Sequence, residues 1–576
     1  MVLQTLEQEL SGWAFASFSA AFPDATLEPD QVSVVATTEK GFGDYQCNAA
    51  MGLARVLRQA PRSIAETVVQ SCDAPASIGR IEIAGPGFIN LYLDDGWVGT
   101  RLQELAEGSG RMGVPEAGAG KTVVLDYSSP NIAKRMHIGH IRSTVIGNVL
   151  DRMHRFLGFR VISDNHIGDW GTQFGILIMG YREFLNQDEI ERDPVGELER
   201  IYVASNDRGA WDKEWMNQAR EELRKLQQGD PENTEIWKRF LALSRGEFES
   251  IYEKLGVTFD LERGESYYRD RIPGLLDLLK ERGVAEESEG AQVVFLEEEG
   301  LPVCIVEKSD GASNYATTDL ATIESRVEEF EPDAIVYVTD ERQQTHFKQI
   351  FAIARKMGVT THLEHVWFGL MRLPEGAFST RDGNVIQLTA LLSEAERRAQ
   401  KLVEESSPEM SAGEKEKVAR AVGIGAVKYA DLSQNPQSVV TFSWEKAMSM
   451  DGNSAPYLQY VYARISSVCD KYRNQFPDLD LESFPIRVSE PVERQLSAHL
   501  LRFPEALLRA CGQYRPNILA DYLYELSQNY NRFYQAVPFL KAEEGTRESR
   551  IRLCGLVAKT LHLGLGLMGI DTPERI

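Results

Sequence analysis

The stretch from Thr122 to Ser163 constrains this chain more than any other. Thr122-Val-Val-Leu-Asp-Tyr reads as a strand and Ser128-Ser-Pro-Asn as the loop that ends it. Ile141, Val145, Val149, Met153 and Leu157 then recur at four-residue spacing, the stripe of a long amphipathic helix. A short turn leads to a second strand near Arg160 to Ser163. Strand, loop, helix and strand in that order form the β-loop-α-β unit that opens a parallel nucleotide-binding sheet. A companion half follows at Ala334-Ile-Val-Tyr-Val, a helix through Phe347 to Met357, and the strand His365-Val-Trp-Phe-Gly.

The remainder arranges itself around that core. The expected architecture is multidomain α/β. An N-terminal α+β domain covers 1–110, and a Rossmann-type nucleotide-binding domain covers 120–390 with a mostly helical insertion at about 181–300. An all-α C-terminal domain covers 391–576. The length of 576 residues accommodates this at roughly 100–200 residues per domain. A chain with 43% hydrophobic and 26% charged residues suits a soluble globular protein. Its start, Met1-Val-Leu-Gln-Thr, has no basic and apolar leader pattern, and no run reaches the ~20 apolar residues of a membrane span, so a cytoplasmic location away from membranes is expected. Six cysteines, none closer than 25 positions to another, suggest neither a zinc knuckle nor a disulfide framework, and no protein-bound zinc is expected.

A formal net charge of -24 argues, as a whole-chain figure, against a nucleic-acid partner. The charge is unevenly spread, however. Residues 181–300 carry a net of -13, residues 121–180 a net of +3, and residues 411–576 a net of +1. A polyanion can therefore be met by neutral or basic segments.

Two short patterns invite a phosphate reading. Pro115-Glu-Ala-Gly-Ala-Gly-Lys-Thr122 ends like a P-loop, but it has proline in place of the first glycine and precedes a strand instead of following one. His137-Ile-Gly-His140 stands at the start of the long helix, where unpaired N–H groups and a partial positive charge favour anions. Imidazoles three residues apart point to one side and can donate to phosphate oxygens, and Gly139 lets a flat base approach the backbone. On spacing alone a structural helix start and a metal pair are also open, although no Cys or acidic residue is spaced as a third ligand.

The block Thr122-Val-Val-Leu-Asp-Tyr-Ser-Ser-Pro-Asn-Ile-Ala-Lys-Arg-Met-His-Ile-Gly-His-Ile-Arg-Ser-Thr144 resembles the HIGH region of the class I aminoacyl-tRNA synthetases, and of the arginyl enzymes in particular. Asp164-Asn-His-Ile-Gly-Asp-Trp-Gly-Thr-Gln-Phe-Gly175 is similar to that family's next block. Gly43-Asp44-Tyr45 and Ala84-Gly-Pro-Gly-Phe-Ile-Asn90 resemble its N-terminal additional domain. Lys428-Tyr-Ala-Asp-Leu-Ser-Gln-Asn435, Ala455-Pro-Tyr-Leu-Gln-Tyr-Val-Tyr-Ala-Arg464 and the ending Met568–Ile576 resemble its helical anticodon-binding domain. The likeness spans nearly the whole chain.

The resemblance implies ligation of L-arginine to tRNA(Arg) through an arginyl-adenylate, with transfer to the 2′-hydroxyl and a first step that needs tRNA. ATP is then a substrate accompanied by Mg2+, and a monomer is expected. His137, Gly139, His140 and Ser379 are the implied ATP contacts. The family's mobile KMSKS loop corresponds here to Ala377-Phe-Ser-Thr-Arg381, which lacks both lysines; the resemblance transfers their duty to Lys134, with Arg381 as a lesser contributor. Asp126, Asn131, Glu265, Tyr315, Asp319 and Gln343 are the implied arginine contacts, since a guanidinium pairs best with planar carboxylates. An N-cap role competes for Asp319. Phe88 and Asn90 match a pair that meets a D-loop base, while Tyr460, Arg464, Tyr530 and Tyr534 suit splayed anticodon bases. Two rival readings are a small-molecule adenylate-forming enzyme, which would lack the helical C-terminal domain, and an inactive tRNA-binding paralogue, suggested by the missing lysines.

The divided charge sets an expectation for tRNA binding. Its affinity should fall only modestly with salt, and a steep log–log slope in filter binding would show a tighter basic cluster than segment counts reveal.

Overall fold

The computed structural model describes all residues except 1–3, 38–40, 310, 312–313 and 373–386. They form two compact units: Met1–Ala117 with Met450–Gly566 and Asp571–Ile576, and Gly118–Ser449 with Leu567–Ile570.

In the first unit, strands β1 (Val34–Ala36), β2 (Tyr45–Cys47), β3 (Ile78–Ala84) and β4 (Phe88–Leu93) form an antiparallel sheet in the order β1-β2-β4-β3. Ile89, Leu91 and Leu93 alternate inward from β4, so Phe88, Asn90 and Tyr92 share the opposite face. The C-terminal helices of this unit run from Ala455–Gln475 to Thr546–Leu567. Residues 1–117 are joined to them in one body by Arg494, which pairs with Asp44 at 2.6 Å and with Asp95, and by the Tyr45 hydroxyl, which donates to Glu505 at 2.8 Å. Sequence patterning treats these as separate domains because such pairing spans hundreds of positions.

The second unit holds the parallel sheet. Strands β5 (Thr122–Asp126) and β6 (Arg160–Asp164) flank the helix Ile138–Phe156, as expected. The insertion contributes five helices between Gln173 and Leu255, then the antiparallel strands β7 (Glu286–Ser288), β8 (Ala291–Val294) and β9 (Cys304–Glu307). Strands β10 (Ala334–Asp340) and β11 (His362–Phe368) complete a four-stranded parallel sheet in the order β11-β10-β5-β6. The chain reverses its winding between β5 and β10, and the C-terminal ends there are where ligands enter such folds. Those ends carry Asp126, Asp164 and Asp340.

The expected boundary at 391 falls inside this unit. The helices Leu388–Ser406 and Ala412–Leu432 belong to it, because Arg142 of the long helix reaches Asp431 at 2.8 Å. Arg142 also donates to the carbonyls of Gly369 and Ser438, at 2.6 and 3.1 Å. Both side chains are 1% exposed, and burial raises the Asp431 carboxyl pKa against the Arg142 charge. Breaking such a pair strands a buried cation. Asp431→Ala should lose about 3–5 kcal/mol in urea unfolding, whereas the double variant Arg142→Met, Asp431→Leu should lose much less; equal losses would show that packing, and not charge, fastens these helices.

Candidate active site

The loop between β5 and the long helix is held in an uncommon conformation. Ser128, Ser129 and Ala133 all have positive φ, at 73°, 48° and 58°, a region costly for residues with a Cβ. Hydrogen bonds offset the cost. The Ser128 N–H donates to Ser143 Oγ at 2.9 Å, its hydroxyl bonds to Thr144 and Tyr252 at 2.8 Å each, the Ser129 N–H donates to Asn165, and the Ala133 N–H donates to Ser244.

This loop delivers His137 to the N-cap of the helix Ile138–Phe156. The Gly139 N–H donates to His137 Nδ1 and the His137 N–H donates to His140 Nδ1, each at 3.0 Å. An Nδ1 that accepts carries no proton, so each neutral ring keeps its proton on Nε2. Burial, then Arg342 and Lys134, lowers the His137 pKa; burial, with His137 beside it, lowers that of His140 to about 4. Both imidazoles are neutral Nε2–H donors at pH 7, with ring centroids 4.0 Å apart. A Cβ at Gly139 would lie 2.7 Å from His137 Cε1, so a larger residue there would push the folded-back ring out of its cap. Lys134 is exposed one turn away, with Nζ 5.6 Å from the Tyr202 ring. Ser379 and Arg381 lie outside the described residues.

A set of carboxylates forms in the same unit. Asp319 sits in the helix Tyr315–Phe330, whose N-cap is Asn314, so the capping role considered for Asp319 belongs to Asn314. Asp319 Oδ2 accepts from His346 Nε2 at 2.5 Å. Burial, followed by repulsion from Asp319 and Asp169, pushes Glu265 up to about 8. Asp169 is fixed by the N–H and hydroxyl of Ser266, at 2.8 and 2.6 Å, and a Cβ on Gly264 would collide with its carboxylate at 2.3 Å. Burial and then the Glu265 charge raise the Tyr315 hydroxyl, whose side chain is largely exposed. Gln343 is exposed and precedes the helix Gln344–Lys356 that carries His346. Asn131 is exposed, bridged by its backbone to Gly168.

Asp126 departs from the expected arginine contact. It is 4% exposed, with Oδ2 accepting from Arg326 at 2.7 Å and Oδ1 from Ser129 Oγ at 3.0 Å. The structure thus gives it a place in the framework. Arg326, Asp169 and His346 were missed by sequence reading; a histidine two residues into a helix and an arginine within one carry no pattern that separates them from surface residues.

In the first unit, the Arg464 guanidinium lies 4.7 Å from the Tyr460 ring centroid and 5.6 Å from that of Tyr534, both half-exposed, and it donates to Asn531 at 3.1 Å. Tyr530 does not join this surface. It is fully buried beside Leu526 and Phe533, because the stripe to which it belongs is the core side of the helix Pro516–Ala536. Asn90 is also corrected: it is 1% exposed and accepts from Gln46 Nε2 at 2.7 Å, which leaves Phe88 as the accessible member of that pair.

A guanidinium bound at this carboxylate set would release a proton. Glu265 is largely protonated at pH 7, and a cation between it and Asp319 favours its ionised form, so affinity for arginine should rise with pH up to about 8 and level off above it. Calorimetry at pH 7 in buffers of different ionisation enthalpy should report release of about one proton, abolished in Glu265→Gln. A binding enthalpy independent of buffer would refute this coupling.

Comparison with known proteins agrees with this geometry. Residues 103–444 match the family model for tRNA synthetases class I (R), catalytic domain, residues 458–576 the DALR anticodon binding domain, and residues 4–93 the arginyl tRNA synthetase N terminal domain. The chain is 44% identical over 556 residues to an arginine–tRNA ligase of Fusobacterium nucleatum, covering 96% of this chain and 97% of that one. It is 43% identical over 571 residues to one of Escherichia coli, covering 97% of each. Among solved structures, an arginyl-tRNA synthetase from Plasmodium falciparum superposes with a TM-score of 0.86 at 25% identity over 100% of both chains. With three successive domain models and relatives matched end to end, the chain belongs to the arginyl-tRNA synthetases, within class I of the aminoacyl-tRNA synthetases.

Proposed function

We propose that this chain ligates L-arginine to tRNA(Arg) at the expense of ATP. The arginine carboxylate oxygen attacks the α-phosphorus and pyrophosphate departs; the 2′-hydroxyl of the terminal adenosine then attacks the carbonyl carbon of arginyl-adenylate and AMP departs. The observation that carries this reading is the pair of neutral Nε2–H imidazoles at a helix N-terminus, in one unit with carboxylates suited to a guanidinium.

His137 and His140 donate to phosphate oxygens as charge builds on them, and their fixed tautomer means that no reorganisation is needed in the transition state. Gly139 leaves room for the folded-back His137 ring, and adenine is proposed to lie near it. Lys134, close enough to both rings to oppose their protonation, meets the departing pyrophosphate from the helix side. Arg381 and Ser379 are proposed as further phosphate contacts. Asp319 and Glu265 receive the guanidinium, with Tyr315 and Gln343 at its edges and Asn131 toward the amino-acid end. Mg2+ accompanies ATP, held by phosphate oxygens and water.

For tRNA, Tyr460, Arg464 and Tyr534 offer stacking and cationic faces to unpaired anticodon bases, and Phe88 offers a ring to a D-loop base. The chain is proposed to act as a monomer. Among the described residues no helix is long and apolar enough to cross a membrane, and a cytoplasmic location is the natural one for this chemistry.

Pyrophosphate exchange with arginine and ATP tests the proposal, and exchange should appear only with tRNA(Arg) present. No exchange under either condition would refute the enzyme reading, and strong exchange without tRNA would refute the tRNA-dependent first step. Lys134→Ala should slow arginine activation on the order of 10²-fold with an unchanged KM for tRNA; a near wild-type rate would move its duty to Arg381.

A further inference from the structure

His346 lies outside every motif, yet it makes the one direct side-chain hydrogen bond to Asp319 among the described residues, Nε2 to Oδ2 at 2.5 Å. It is the third residue of the helix Gln344–Lys356, which begins where β10 ends, whereas Asp319 belongs to the helix Tyr315–Phe330 that precedes β10. The contact therefore joins the helices on either side of that strand. Both side chains remain partly open, at 27% and 21% exposed, so the pair borders the site without being sealed into the core.

A free Asp319 would have reason to turn away. Asp319 lies close enough to Glu265 to help hold that carboxyl in its protonated form, and a partly open carboxylate with no anchor is free to rotate toward water. The imidazole N–H counters this by fixing one oxygen with a charge-assisted hydrogen bond. Oδ1 is then left for a ligand. A guanidinium presents parallel N–H groups in a plane and needs acceptors at fixed positions, whereas an ammonium tolerates a carboxylate in many orientations.

We infer that His346 is a positioning residue for arginine recognition, holding Asp319 so that its open oxygen and Glu265 together meet a planar cation. It does not touch the reacting atoms, and it acts through Asp319. The inference rests on the proposed role of Asp319 as guanidinium acceptor, and it assigns to His346 part of the selection of arginine over lysine, which has a point charge, and over citrulline, which has the same shape without charge.

Steady-state kinetics of the full-length enzyme with tRNA(Arg) separate the possibilities. His346→Ala should raise the arginine KM by about tenfold to a hundredfold and leave the ATP KM within about twofold. His346→Gln, whose amide nitrogen approximates the position of Nε2, should recover most of the loss. In an Asp319→Asn background, His346→Ala should add little. If Asp319→Asn leaves the arginine KM unchanged, the reading of the site fails. If Asp319→Asn raises it and His346→Ala does not, the positioning role alone is overturned. Equal rises in arginine and ATP KM, or no recovery with glutamine, would also overturn that role, because a general packing defect moves both substrates and is indifferent to a retained N–H.

Discussion

The site depends on one buried guanidinium. Arg326 Nη2 donates to Asp126 at 2.7 Å and to Asp164 at 2.8 Å, and all three side chains are almost wholly shielded from water. Asp126 ends β5, Asp164 ends β6, and Arg326 lies in the helix that carries Tyr315 and Asp319. Three elements that build the cleft therefore converge on one charge cluster. A lone carboxylate at either strand end would be costly to bury, and two would repel; the cation makes both tolerable and fixes the distance between strand ends and helix. Among the described residues Arg326 Nε and Nη1 have no hydrogen-bond partner, and its two carboxylate contacts are what tie the helix to the strand ends.

Above that floor, local backbone geometry and electrostatics converge on the histidines. Left-handed residues in the preceding loop turn the chain so that His137 caps the helix, and the cap uses Nδ1 of both rings. Satisfying orphan helix N–H groups in this way fixes the tautomer needed for donating to phosphate. Burial and the neighbouring cations keep the rings neutral, so they contribute directed N–H groups and no net charge. Positive charge comes instead from Lys134 and Arg342, both exposed, although Arg342 is paired with Asp340. Orientation and charge are thus supplied by different residues.

The elements were legible from sequence wherever periodicity was strong. The strands at Thr122, Arg160 and Phe88 and the long helix lie where the alternation and the four-residue stripe place them. His137, Gly139 and His140, which family resemblance singles out, lie together on a helix start. The failures share a cause. Tyr530 and Tyr534 are four residues apart, and spacing cannot say that the core boundary passes between them. Asn90 follows the strand alternation correctly, but its face is covered through Gln46, a pairing set by the partner strand. Asp126 looked like a substrate ligand because its partner stands 200 positions away. The boundary at 391 failed for the same reason, since Arg142 and Asp431 are joined across 289 positions.

Charge is sorted in this unit according to what each substrate brings. ATP is anionic and arginine cationic at its side chain, and a site of one sign would repel one of them. The cations that act on the histidines are Lys134 and Arg342, the latter paired with Asp340, whereas Glu265 has Asp319 and Asp169 beside it. In the proposed site each substrate would meet the opposite charge, and an arriving cation would offset the repulsion that keeps Glu265 protonated. That relief is a source of selectivity. In the proposed site a ligand without positive charge leaves Glu265 protonated and forms no ion pair there, so discrimination would rest on charge pairing instead of on one or two methylenes. Synthetases for small apolar amino acids lack such a handle and need a second, hydrolytic sieve. A guanidinium supplies that handle through its charge.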